Sequence, residues 1–136
     1  MNHRNQRGQS LVEFALILPL LIIVLFGIIE FSIILFDKAV ITNASREGAR
    51  AGTVFRPTPI SDADIEAIVN NYLSTHLITF DSSTPQIVIN PSSSPPAFGD
   101  TLTVTVNYNY GFLVLPNFVT LGNQISLSAQ TIMNYE

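Results

Sequence analysis

The residues best placed to do chemistry stand in one short string, RGQSLVEF, directly before a long apolar run. Gly8 has no side chain to obstruct its backbone, so a peptidase at a membrane face could cut after it. The cut would leave a new amino group on Gln9. Glu13, the fifth residue counted from Gln9, lies one helical turn further into the apolar zone. A lone carboxylate there is costly unless it meets a cation. In an assembly, the amino terminus of a neighbouring subunit is a natural partner. The alternative is an uncut anchor with Glu13 merely at the interface.

Other chemistries find little material. The 136 residues include no cysteine, so there is no disulfide framework, thiolate metal site or thiol nucleophile. His3 and His76 are too far apart in sequence to suggest a zinc pair. Asp62, Asp64 and Glu66 resemble the start of a calcium loop, but its glycine and distal glutamate are missing. Acids in a first helical turn suit the helix dipole without a metal. No Ser-His-Asp order, phosphate-binding glycine loop or metal-ligand cluster is present, so the expectation is no enzyme, no cofactor and no metal.

Charge divides the chain. All six basic residues (Arg4, Arg7, Lys38, Arg46, Arg50, Arg56) lie within residues 1–56, and residues 57–136 carry six acids without a Lys or Arg. The distal part would repel a phosphate backbone, which argues against nucleic acid as a partner.

Between Phe14 and Phe36, 18 of 23 residues are Leu, Ile, Val or Phe and only Glu30 is charged. Those residues favour insertion by about 5 to 11 kcal/mol against about 3 kcal/mol for the acid, so a transmembrane helix is predicted. A cleaved secretory signal would be shorter and followed closely by small residues. Pro19 lacks an amide donor and Gly27 adds a second weak point, so a kink or local unwinding is expected, as a working hinge or an ordinary proline bend. Glu30 should face a protein partner or the outer surface. Arg4 and Arg7 favour a cytoplasmic amino terminus, while Lys38, Arg46, Arg50 and Arg56 favour the reverse. The motif at Gly8 has meaning only with the amino terminus inside.

The stretch from Arg7 to Gly52, with GQSLVEFALILPLL, FGIIEF and TNASREGARAG in order, resembles the amino-terminal module of TadE-like pseudopilins of the tight-adherence (Tad, Flp-type) pilus system. The resemblance covers about a third of the chain. It implies cutting between Gly8 and Gln9 by a prepilin peptidase of the bacterial inner membrane. It also implies Glu13 as the processing and assembly glutamate, with other pilins, pseudopilins and Tad assembly proteins as partners. TadG-like relatives share the opening but are usually much longer, and the major Flp pilin is usually much shorter. Gln9 departs from the aromatic residue or Met often found first in mature type IV pilins.

Three regions follow: a basic leader over 1–8, a transmembrane and assembly helix over 9–36, and a small exported domain over 37–136. The helix should continue outward to Thr53. There Ala44, Gly48 and Gly52 make a small-residue stripe allowing close helix approach. Arg46 and Arg50 make another stripe, either solvated or facing an acid on a partner. Arg56-Pro57-Thr58-Pro59 ends the helix. A second helix is predicted from Ile60 to Leu77, capped by Ser61 with Asp64 and burying Ile65, Ile68, Val69, Tyr72 and Leu73. Strands are predicted over Gln86 to Asn90, Thr101 to Tyr110 and Gln124 to Met133, with a loop at Ser92 to Pro96. The second strand alternates with Leu102, Val104, Val106, Tyr108 and Tyr110 inward; the third should bury Ile125, Leu127, Ala129 and Thr131. The apolar connection GFLVLPNFVTLGN fills a gap over the sheet or meets membrane or a partner. The fold class is α+β, pilin-like, with about three antiparallel strands. The leading function is a minor pilin or pseudopilin, set against a permanently anchored binding module outside the membrane.

Overall fold

The computed structural model describes residues 3–54, 56–57, 60–80, 83–91, 95–113 and 124–135, with side chains from Gly8 onward. The side chains of Arg4 and Arg7 in the leader, Thr58 and Pro59 of the helix-ending string, Ser92 to Ser94 of the loop and residues 114–123 of the apolar connection lie outside what is described.

Helix α1, His3–Thr53, is 51 residues long, about 76 Å at 1.5 Å per residue. It runs without a break through Pro19 and Gly27. The local unwinding entertained for Pro19 does not occur. One proline removes one amide donor, and the long helical flanks on either side hold the turn. Helix α2, Asp62–His76, starts on Ser61, whose Oγ accepts from the Asp64 amide at 3.2 Å and donates to Asp64 Oδ2 at 2.7 Å. That is the cap expected from the sequence.

Three strands follow: β1 Gln86–Pro91, β2 Thr101–Gly111 and β3 Gln124–Asn134. They form one antiparallel sheet in the order β1-β2-β3. Register places Ile87 opposite Val106, and Val106 opposite Ala129. The inward row of β2 is thus continuous with Ile87 and Ile89 on one side and Leu127 and Ala129 on the other. Ahead of β2, the chain turns at Gly99, whose φ of +85° is a left-handed conformation that glycine adopts without strain.

Both helices lie on the same face of the sheet. Val40, Ile41, Ala44 and Ala49 of α1 meet Ile65, Val69 and Leu73 of α2 and the alternating residues of β2 in one core. The small residues of α1 set how closely these layers approach. A methyl group added at Gly48 would overlap the γ2 methyl of Val69, and one added at Gly52 would come within 2.8 Å of Ile65 Cδ1 and overlap Leu102. The outer face of the sheet is uncharged, rich in Thr, Asn, Gln and Ser.

Candidate functional site

Near the start of α1, Gly8 and Gln9 are adjacent and Glu13 stands one turn further on, all exposed. Gln9 Nε2 donates to Glu13 Oε1 at 3.1 Å, the i to i+4 spacing of a helix. Gly8 has nothing within 4 Å of where a side chain would stand. From Gly8 to Phe14 the string is exposed, and among the described residues the Glu13 carboxylate is answered by the residue one turn before it.

From Leu11 to Ile29 no side chain of α1 is buried. A window of this stretch is long and apolar enough to cross a membrane, and none of it is covered by the rest of the chain. The 19 residues from 11 to 29 rise about 28 Å, close to the thickness of a bilayer core.

The domain takes hold of α1 at Glu30, before the apolar run has ended. Glu30 is 2% exposed. Its Oε1 accepts from the Tyr110 hydroxyl at 2.7 Å and from the Leu113 amide at 2.9 Å. Tyr110, at the end of β2, is set between Phe80 and Phe112, each edge-on at 6.5 and 6.1 Å between ring centres. Burial, then the adjoining Glu30 carboxylate, push the Tyr110 hydroxyl above the ordinary phenol range, so it remains a donor. The partner that the sequence left unnamed for Glu30 thus lies within the chain.

Two turns on, Asp37 is wholly buried on the same face. Its Oδ1 accepts from the Ile78 amide at 3.0 Å, and its Oδ2 has no hydrogen-bond partner among the described residues. Desolvation raises the Asp37 carboxyl above its usual range, opposed by the Ile78 amide. Beside it, Lys38 Nζ donates to the Ser128 carbonyl of β3. Further up, Ser45 Oγ and Thr131 Oγ1 are 2.7 Å apart. Glu30, Asp37, Lys38 and Ser45 thus tie one side of α1 to the sheet and to the segment after α2. Neither Asp37 nor Lys38 drew attention in the sequence, although Glu30, Asp37, Ile41, Ala44 and Gly48 recur at spacings of three, four and seven, which mark one helical face.

Ala44, Gly48 and Gly52 lie on that buried face, against α2 and β2 of the same chain. Arg46 and Arg50 lie on the opposite, exposed face. His76 is exposed at the end of α2, donating from Nδ1 to the Tyr72 carbonyl at 2.9 Å and stacked on the Tyr72 ring. Asp62, Asp64 and Glu66 are exposed, and no group of three His, Cys, Asp or Glu among the described residues could hold a metal ion.

The family model described as TadE-like protein matches residues 8–50. The match begins at Gly8 and ends at Arg50. No curated protein and no solved structure gives a match to this chain. The TadE-like segment and the uncovered apolar helix together fit a pilin-like, membrane-anchored protein associated with a Tad pilus.

Proposed function

We propose that the chain is a minor pilin or pseudopilin of a Tad-type pilus assembly system. A prepilin peptidase removes residues 1–8 by cutting between Gly8 and Gln9 at the inner (cytoplasmic) membrane. The helix crosses once, with its amino terminus in the cytoplasm and the α+β domain outside. Assembly replaces lipid around the helix by the helices of other pilins or pseudopilins, guided by Tad assembly proteins.

One observation carries this reading: α1 is bare on every side from Leu11 to Ile29, then gripped by its own domain from Glu30 onward. A bare apolar shaft needs lipid or other helices around it, and a rigid grip at its outer end moves shaft and domain as one body. Glu13 then stands in the apolar zone with only the Gln9 amide for company. Freed by the cut, the amino group of a neighbouring subunit's Gln9 supplies the opposite charge. Pro19 and Gly27 are the points at which the shaft adjusts on leaving lipid.

Intact mass after co-expression of the full chain with a matching prepilin peptidase tests the reading. Loss of residues 1–8 is expected, and Gly8→Leu should abolish it. An unchanged mass for the unaltered chain overturns it in favour of a permanently anchored binding module.

A further inference from the structure

Two pairs of like charges sit at adverse spacing on different faces of this domain. Arg46 and Arg50 are four apart on the face of α1 opposite the core, and Asp62 and Glu66 are four apart on α2. Like charges at that spacing destabilise a helix mildly. No hydrogen bond or ion pair within the described residues reaches the side chain of any of the four; the backbone carbonyl of Arg50 accepts from the Thr53 hydroxyl. Asp62 acts on Tyr135 only through its field. Beyond residue 56 the chain has no Lys or Arg to offer these acids, and Lys38 is engaged by Ser128.

The two pairs also match in direction. Ile65 packs at Gly52 and Val69 at Gly48, so α2 descends towards the membrane as α1 ascends away from it. Asp62 therefore stands highest on α2 and Glu66 one turn lower. Arg50 stands highest on α1 and Arg46 one turn lower. A copy displaced by about 7 to 8 Å along the membrane normal would set its Asp62 opposite Arg50 and its Glu66 opposite Arg46, a stagger of the kind a helical array provides.

We infer that Arg46 and Arg50 of one copy bind Glu66 and Asp62 of the next, in a head-to-tail contact between copies of this chain. It rests on the assembly reading above and specifies which faces meet. Because the basic and acidic pairs lie on different faces, each copy in a row keeps one free patch of each sign. Such a heterologous contact propagates along a helical array. Anionic lipid is the poorer occupant. Arg46 stands ten residues past Phe36, about 15 Å along an upright helix, whereas the interfacial zone beyond the hydrocarbon is about 5 to 8 Å deep on each side.

The absence of native cysteine makes the test direct. Asn43, one turn below Arg46, and Asn70, one turn below Glu66, are both exposed and should face each other across the contact. Two differently tagged full chains, Asn43→Cys in one and Asn70→Cys in the other, are co-expressed in membranes with the prepilin peptidase and oxidised. The mixed disulfide product should exceed both homotypic products. Arg46→Glu with Arg50→Glu in the Asn43→Cys copy should cut it roughly two- to thirtyfold at low salt. Asp62→Arg with Glu66→Arg in the other copy should restore it. A mixed product indifferent to charge reversal, or cross-linking only to a different pilin, overturns the contact. Leader removal, read by mass in the same membranes, separates the failures: cut chains without the contact sink this inference alone, and uncut chains sink the assembly reading with it.

Discussion

Replacing Tyr110 by Phe removes one donor from Glu30 while leaving the ring between Phe80 and Phe112. Glu30 is 2% exposed, and its Oε1 receives the Tyr110 hydroxyl at 2.7 Å and the Leu113 amide at 2.9 Å. A hydrogen bond to a charged group contributes about 1.5 to 3 kcal/mol, and a buried carboxylate that loses it regains no water in exchange. For a folded domain of about 100 residues, 1 kcal/mol moves the midpoint by about 4 to 8 °C. A fall of roughly 10 °C is therefore expected. The assay is thermal unfolding of the full chain in detergent, followed by the near-ultraviolet circular dichroism of its four tyrosines, which no tryptophan obscures. Glu30→Gln supplies the second arm of a double-mutant cycle. In the Tyr110→Phe background its effect should differ from that in the parent chain by about 1 kcal/mol or more. A coupling within about 0.5 kcal/mol of zero would refute the grip of the domain on the outer end of the membrane helix.

Gly48→Ala should destabilise the domain by about 1 to 2 kcal/mol. The overlap with the branched Val69 side chain outweighs the roughly 1 kcal/mol gained in helix propensity. Gly27→Ala, with nothing within 4 Å, should leave the midpoint unchanged or raise it, and equal effects at the two sites would contradict the close packing of α1 on α2. Asp37 holds its proton more tightly folded than unfolded, so stability should fall as pH rises from the ordinary 3.8 through the raised folded value. Asp37→Asn removes that loss and should raise stability at pH 7 relative to the parent by about 1 kcal/mol or more, with the gap closing towards pH 4. A variant less stable than the parent at pH 7 would show that the buried carboxylate is held ionised by groups outside this account. Glu13→Ala should leave the folded domain untouched, because Glu13 is exposed on α1 far below the domain and its side chain bonds to Gln9 on the same helix. Its entry into assemblies should fall sharply, as read by co-purification with other pilins, and normal entry would show the carboxylate to be dispensable.

Much of the fold is written in local periodicity. The unbroken alternation from Thr101 to Tyr110 named all five inward residues of β2, and Ser61 with Asp64 marked the cap of α2, although the range expected from Ile60 to Leu77 ran past both ends of the helix. Each signal depends on neighbours within a few positions, where sequence spacing and spatial spacing coincide. Glu30 shows where such reasoning ends. Its donor is 80 residues away, on a strand whose partner face depends on how the helices lie over the sheet. Periodicity marked Glu30 as an oddity without naming what answered it. Asp37 was overlooked because a carboxylate just past an apolar run reads as solvated, yet α1 carries it beneath the segment after α2. The small stripe was legible as a packing surface; that α2 and β2 of the same chain occupy it was not. At Pro19 the local rule allowed a bend or an unwound turn, and of the two the unwound turn is absent, since the helix proceeds through it. The string around Gly8 differs from all of these, because the cleavage proposed for it depends on an enzyme outside the chain.

The first residue of the protein isolated from its native membranes, fixed by amino-terminal sequencing, bears on all of this at once. Gln9 in first place is the expected result. A chain that still starts at Met1 and resides singly in the bilayer would contradict trimming and exchange of lipid for neighbouring helices alike.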